Sequence, residues 1–237
     1  MARKPRIHLP GGVYHVMLRG NDGNDIFKTD NDRWVFESLI EQGVERYEHR
    51  IHAYCWMDNH VHLAVQVKDS PLSKIMQNLA FRYTSYFNKT YDRIGNLFQG
   101  RYKAILVDAN TYLQELVRYI HLNPVRAGMI NKPGQYRWSG HSRYLGNNDK
   151  PWLTTHWVLS LFSRQTRAAI KRYQAFVQSG MDEGYREEFH IGSEDGPILG
   201  SDRFIESAMN VIKNSIQLTL DEFVDLSLIH LDVTGQD

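Results

Sequence analysis

The sequence holds one cysteine, Cys55, in 237 residues. A single thiol excludes an internal disulfide and a structural zinc site closed by thiolates, and it fits a reducing compartment. No apolar run approaches the roughly 20 residues of a membrane-spanning helix, so no membrane partner is expected. The opening residues MARKPRIHLPGG are basic but lack the apolar core of a signal peptide, and a cytoplasmic location is expected. There is neither an internal repeat nor a low-complexity tract. Net charge is also nearly absent, at +1. That balance conceals an asymmetry: residues 1–150 carry 21 Lys and Arg against 14 Asp and Glu, whereas the other 87 residues carry 7 against 13. A surplus of +7 in the first part fits an electrostatic footprint for phosphates there, and the deficit of −6 beyond it does not.

What is present centres on Trp56 to Val67, WMDNHVHLAVQV. Its apolar and polar positions alternate with the period of a strand, so His60 and His62 leave the same face. Two neutral imidazoles side by side are two potential metal ligands. Asp58 and Asn59 supply a turn, and the preceding run RIHAYCWM reads as the partner strand of a hairpin, with Cys55 as a small core residue. In a chain with 11 His, a His-x-His pair arises readily by chance, so it needs company.

That company is Thr111 to Gly128, TYLQELVRYIHLNPVRAG. Leu113, Leu116, Val117 and Ile120 recur at helical spacing as a buried stripe, while Tyr112, Glu115, Tyr119 and Asn123 fall on another face. Thr111 with Gln114 is a candidate capping box and Pro124 a stop. Tyr119 and Asn123 stand one turn apart, so a phenol and an amide oxygen are presented together. Tyr112 lies on the same face as an internal competitor, and Glu115 is placed either to orient the phenol or simply to face solvent.

The remaining elements follow from pattern. A strand is expected near Val13 to Leu18, then a Gly, Asn and Asp-rich loop. A helix capped by Asp30 or Asn31 should run to about Tyr47, with Trp34, Val35, Leu39, Ile40 and Val44 inward. Ser70 and Pro71 open a helix to about Asn88, with Leu72, Ile75, Met76, Leu79 and Phe87 inward and Lys74, Arg82, Tyr83, Tyr86 and Lys89 on its surface. Basic residues interleaved with aromatics suit a single nucleic-acid strand, since cations hold phosphates and rings stack on bases. Arg101 and Lys103 precede or enter a strand over Tyr102 to Val107 and are candidate phosphate contacts, as is the arm of Arg3, Lys4 and Arg6. The order strand, helix, strand, strand, helix, strand predicts an α+β, ferredoxin-like split βαβ antiparallel sheet. GNNDKP at 146–151 marks a boundary between a domain over 1–145 and an acidic, mainly helical extension over 152–237. In the extension, helices are expected over Thr155 to Ser179, from Asp202 to about Ile216, and after a Thr219–Glu222 capping box.

HVH followed by a helix ending YIHLNPVRAG, together with YHVMLRGN, HAYCWMDNHVHL and NLFQGRYKAILV, resembles the single-tyrosine HUH nucleases, and among them the REP-associated tyrosine transposases. The resemblance covers most of residues 1–145. It implies His60, His62 and Asn123 as ligands of a divalent metal, Mg²⁺ or Mn²⁺, and Tyr119 as the nucleophile that forms a 5′-phosphotyrosine. The partner it implies is single-stranded DNA with a hairpin or palindromic repeat, acted on by a monomer or homodimer in a bacterial, nucleoid-associated setting. The alternative is a protein of the same fold that binds a hairpin without cutting. A phosphohydrolase using a His-x-His-x-His nucleophile is disfavoured because Ala64 takes the third position.

Overall fold

A computed structural model of the chain describes residues 8–146, 149–192 and 197–214. Arg3, Lys4, Arg6 and the Thr219–Glu222 box lie outside the described residues. The strands are β1 (Val13–Arg19), β2 (Arg50–Met57), β3 (His60–Gln66), β4 (Lys103–Val107) and β5 (Ile198–Leu199), and the first helices are α1 (Asp30–Tyr47), α2 (Leu72–Thr90) and α3 (Ala109–Arg126). They form one sheet in the order β2-β3-β1-β4-β5. All pairings are antiparallel except β4 with β5. The expected α+β split βαβ sheet is therefore present, with β5 added beside β4.

β1 lies at the centre of the sheet, and its alternation assigns the two faces. Tyr14, Val16 and Leu18 join Val61, Leu63 and Val65 of β3 in the layer under α1 and α2. Val13 and Met17 join Ala64, Ile105 and Val107 in the layer under α3. By the same alternation His15, His60 and His62 belong to the α3 face. The β2–β3 register shifts between Ile51 and Ala53, a bulge that lets Ile51 and Tyr54, of opposite parity, face the same layer.

Several local expectations are corrected by which residues reach the sheet. Trp34 is 47% exposed, edge-on to Trp138, and the core position falls to Phe36, which meets Phe27, Trp56 and Tyr83. Tyr83 is not on the surface of α2: it is fully buried and donates its hydroxyl to the Ile26 carbonyl at 2.6 Å. Thr29, not Asp30 or Asn31, caps α1, in a capping box with Asp32. α3 starts earlier than Thr111 because the Asp108 carboxylate takes the Asn110 amide and the Thr111 hydroxyl, each at 3.1 Å. Pro124 sits inside the last turn, and α3 continues to Arg126.

The single long helix expected over 155–179 is two, α4 (His156–Ser160) and α5 (Thr166–Ser179). The polar middle breaks it: Ser163 Oγ accepts the Gln165 amide at 3.1 Å in place of a helical bond. Next come α6 (Glu188–Ile191) and a helix over 202–214. Val158, Tyr173, Val177 and Phe189 complete the core beneath α3, and β5 returns to the sheet. The 146–151 stretch is thus a change of composition across which packing continues, and Lys150 bonds Glu37 of α1 at 2.5 Å.

Part of this joint is titratable. The Tyr173 hydroxyl stands 2.8 Å from Nδ1 of both His121 and His141. Burial pushes His141 down to about 4, and does the same to His49 under α1. An imidazole held neutral in the fold but basic in the unfolded chain adds stability that is complete above its unfolded value near 6.5 and lost as pH falls toward 4. Urea midpoints should accordingly drop between pH 6.5 and 4.5, by up to about 1.4 kcal/mol per pH unit per histidine. H141Q should be less stable at pH 7 yet show a shallower acid slope. A slope identical to the parent's would exclude His141 as a contributor.

Candidate active site

α3 crosses the sheet face that carries the histidines, and between them opens a cleft of about 720 Å³. His60, His62, Tyr119 and Asn123 all line it, together with Arg101 and Lys103. The hairpin and the helix, distant in sequence, therefore bring the four expected residues together. Arg82 and Tyr86 lie elsewhere, on the seam between α1 and α2. Arg82 donates to Gln42 at 2.7 Å, and the Tyr86 hydroxyl donates to Asp32 at 2.9 Å.

A chain of hydrogen bonds fixes the histidine tautomers. The Phe189 carbonyl can only accept, so His15 Nδ1, 2.8 Å away, carries a proton. Burial pushes His15 down to about 3, so it is neutral and its Nε2 is an acceptor. His62 Nδ1 must then donate to that Nε2, at 2.9 Å, leaving the lone pair of His62 on Nε2. His60 reaches the same state by another route. Asn59 uses its amide nitrogen on the Gly23 carbonyl at 3.2 Å, so its oxygen accepts from His60 Nδ1 at 2.7 Å. Burial, then the Arg19 cation, hold His60 down to about 4. Burial, then His15 and His60, hold His62 well below its ordinary value. Both imidazoles are neutral with Nε2 unprotonated, the form that ligates a metal, and each has the outer-shell hydrogen bond that such ligands carry.

Asn123 is oriented by its neighbour in sequence. Pro124 has no N–H to give the Ile120 carbonyl, and the Asn123 amide nitrogen turns back into the helix, 3.2 Å from the Tyr119 carbonyl and 3.5 Å from that of Ile120. This directs Oδ1 the other way. Two imidazole nitrogens and one amide oxygen are a donor set that fits a divalent cation and leaves coordination positions open. Among the described residues no three His, Cys, Asp or Glu side chains form a metal cluster by themselves, so the amide would have to complete the set.

Tyr119 is 4% exposed, and its ring centroid lies 6.3 Å from that of His62. Burial raises its hydroxyl above the ordinary value, and the Arg126 cation works against that rise. Arg126 stacks on the Tyr119 ring, 3.9 Å from its centroid, and also bonds the Tyr119 carbonyl. Tyr119, Asn123 and Arg126 thus form one stripe at helical spacing. The hydroxyl itself contacts His190 Nε2 at 2.6 Å. Arg19, Arg101, Lys103 and Arg126 line the cleft against Glu183, making it cationic.

Sequence reasoning missed His15, Arg126 and His190. His15 was legible in principle, because strand alternation in YHVM puts it on the face of a neighbouring histidine pair once β1 is paired with β3. His190 carries no local signal and arrives only through the fold of the extension. Glu115 does not touch the phenol; it accepts from Arg118 at 2.6 Å and Arg186 at 3.2 Å, tying α3 to the segment that carries His190.

The model of a family described as transposase IS200-like matches residues 10–123. A solved REP-associated tyrosine transposase bound to a REP hairpin is similar in structure, with a TM-score of 0.54 at 16% identity, over 65% of this chain and 92% of that one. A putative transposase from Deinococcus radiodurans gives 0.36 at 15% identity over 48% and 92%. The tRNA(His) guanylyltransferase of Saccharomyces cerevisiae gives 0.37 at 10% over 79% and 86%. No curated protein matches the chain. Residues 10–123, which carry His15, His60, His62, Tyr119 and Asn123, are thus similar to the IS200-like transposase family.

Proposed function

We propose that this chain cuts and rejoins single-stranded DNA beside a hairpin, with Tyr119 as nucleophile. One observation carries the reading: the Tyr119 hydroxyl, two imidazoles with free Nε2 lone pairs and the Asn123 amide face a single cationic cleft. A protein that only bound a hairpin would have no use for that convergence. The similar structure at a TM-score of 0.54 holds a REP hairpin, which supports folded DNA of that kind as the partner here.

His60, His62 and Asn123 would hold Mg²⁺ or Mn²⁺. When bound, such an ion neutralises phosphate oxygens and eases departure of the leaving oxygen. The chain's own residues do the rest. Arg19, Arg101, Lys103 and Arg126 draw the backbone phosphates into the cleft. Arg126, stacked on the ring and bonded to the carbonyl of the same residue, holds the phenol in one orientation. Tyr119 Oη attacks phosphorus and the 3′-oxygen departs, giving a 5′-phosphotyrosine that keeps the energy of the phosphodiester. A 3′-hydroxyl can then reverse the step without ATP. The neutral histidine tautomers let the metal ligands enter the reaction without first losing a proton.

Incubated with hairpin-bearing single-stranded DNA and Mn²⁺, the parent protein should retain the fragment 3′ of the cut as a denaturation-resistant adduct, and Y119F should retain none. An adduct of normal yield from Y119F would rule out the assigned nucleophile. H60A should lose metal-dependent cleavage by roughly 100-fold or more while hairpin affinity stays within about threefold, since it removes a metal ligand and no phosphate contact. Equal loss of both would make His60 structural. H15A should weaken Mn²⁺ binding, measured calorimetrically, by about 10- to 100-fold, the usual effect of removing an outer-shell partner; unchanged affinity would mean that the His15–His62 bond does not tune the site.

A further inference from the structure

The family match ends at residue 123, yet the contact on the Tyr119 hydroxyl comes from residue 190. We propose that the extension completes the reaction centre, with His190 as the group that receives the Tyr119 proton during attack. This rests on the reading of Tyr119 as nucleophile and adds a second participant to it.

A proton can pass along the Tyr119–His190 contact when the hydroxyl is the donor and Nε2 is the unprotonated ring nitrogen. The oxygen and His190 Nε2 are 2.6 Å apart, within hydrogen-bond reach for direct transfer. His190 lines the cleft and is backed by the Tyr185 ring at 4.6 Å between centroids. The cations that act on it are Lys103 of β4 and Arg126 of α3, the His15 and His62 rings stand at 6.1 Å, and Glu183 lines the same cleft. The adjacent residue fixes the other half of the centre, because the Phe189 carbonyl sets the tautomer of His15 and through it that of His62. Two consecutive residues of the extension thus touch both the nucleophile and the histidine pair.

The segment is held there by a built clamp. Arg118 of α3, 9% exposed at its side chain, bonds Glu115 and Glu183 at 2.6 Å each, and Arg186 reaches Glu115 at 3.2 Å and Glu188 at 2.5 Å. Gly180 permits the approach, since a Cβ there would lie 2.8 Å from the Arg118 side chain. A residue positioned so firmly against the nucleophile from outside the family domain is not accounted for by packing alone, which Phe189 already supplies.

The step balances. The Tyr119 Oη–P bond forms as the P–O3′ bond breaks. The hydroxyl proton passes to His190 Nε2, giving an imidazolium. The electron pair of the broken bond leaves on the 3′-oxygen, which is protonated by solvent. On rejoining, the 3′-hydroxyl returns its proton to solvent as its oxygen bonds phosphorus and the Oη–P bond breaks, and the expelled phenolate recovers the proton from Nε2.

The test uses the full-length chain, a hairpin-bearing single-stranded oligonucleotide and Mn²⁺, following single-turnover adduct formation. H190A should slow it by about 10²- to 10⁴-fold, the range of general-base contributions, with hairpin affinity unchanged as evidence of folding. Added imidazole should restore part of the H190A rate but none of the Y119F rate. H190Q, which keeps a hydrogen-bonding amide but accepts no proton, should stay slow. In metal-free protein the ¹⁵N resonances of the His190 ring should shift on Y119F substitution. H190A reacting at the parent rate or faster would overturn the proposal, as would H190Q at the parent rate, or an H190A defect that imidazole leaves unrescued. Failure of the parent protein itself to form an adduct would instead overturn the nuclease reading beneath it.

Discussion

The state of His62, at the centre of the cleft, depends on a buried carbonyl oxygen that can only accept. Phe189 O obliges His15 to donate, and His15, kept neutral by burial, obliges His62 to donate in turn. The result is a lone pair on His62 Nε2, determined by a backbone group two hydrogen bonds away. A side chain in place of that carbonyl could take either role and leave the tautomer free. The constraint joins the sheet to the extension: the strand that carries the histidines and the segment near residue 190 form a single electrostatic unit.

The acid of the extension acquires a physical role in this arrangement. A surplus of carboxylates facing the cleft would cancel its cations. Glu115, Glu183 and Glu188 instead face Arg118 and Arg186, so much of the local charge is consumed in attaching the segment to α3. The cations at Arg19, Arg101, Lys103 and Arg126 are left to dominate the cleft lining. Net charge near zero is thus the sum of two surfaces with different tasks.

The parts legible in the sequence were those governed by short periods. Alternation around His60 and His62, the stripe from Leu113 to Ile120, and the order of elements each describe one segment at a time, and the sheet follows from them. What was not legible depends on pairing between distant segments. Asp108 outcompetes Thr111 as a cap because its carboxylate reaches two donors, which residue type alone does not reveal. Phe36 displaces Trp34 from the core because the direction in which α1 lies across the sheet is a tertiary property. His190 is the extreme case: it comes from a stretch of ordinary polar sequence, 71 positions from the oxygen it touches.

Both β4 and β2 carry partners on their outer sides. On one side β5 runs parallel to β4, and on the other Leu153 bridges Ile51 while Ser139 bridges Cys55. Unpaired peptide groups along an outer strand invite a second molecule to extend the sheet. With those groups engaged, self-association through a continuous intermolecular sheet is disfavoured along these stretches. An assembly that keeps these pairings would engage other surfaces and leave the geometry of β2 and β4 unaltered.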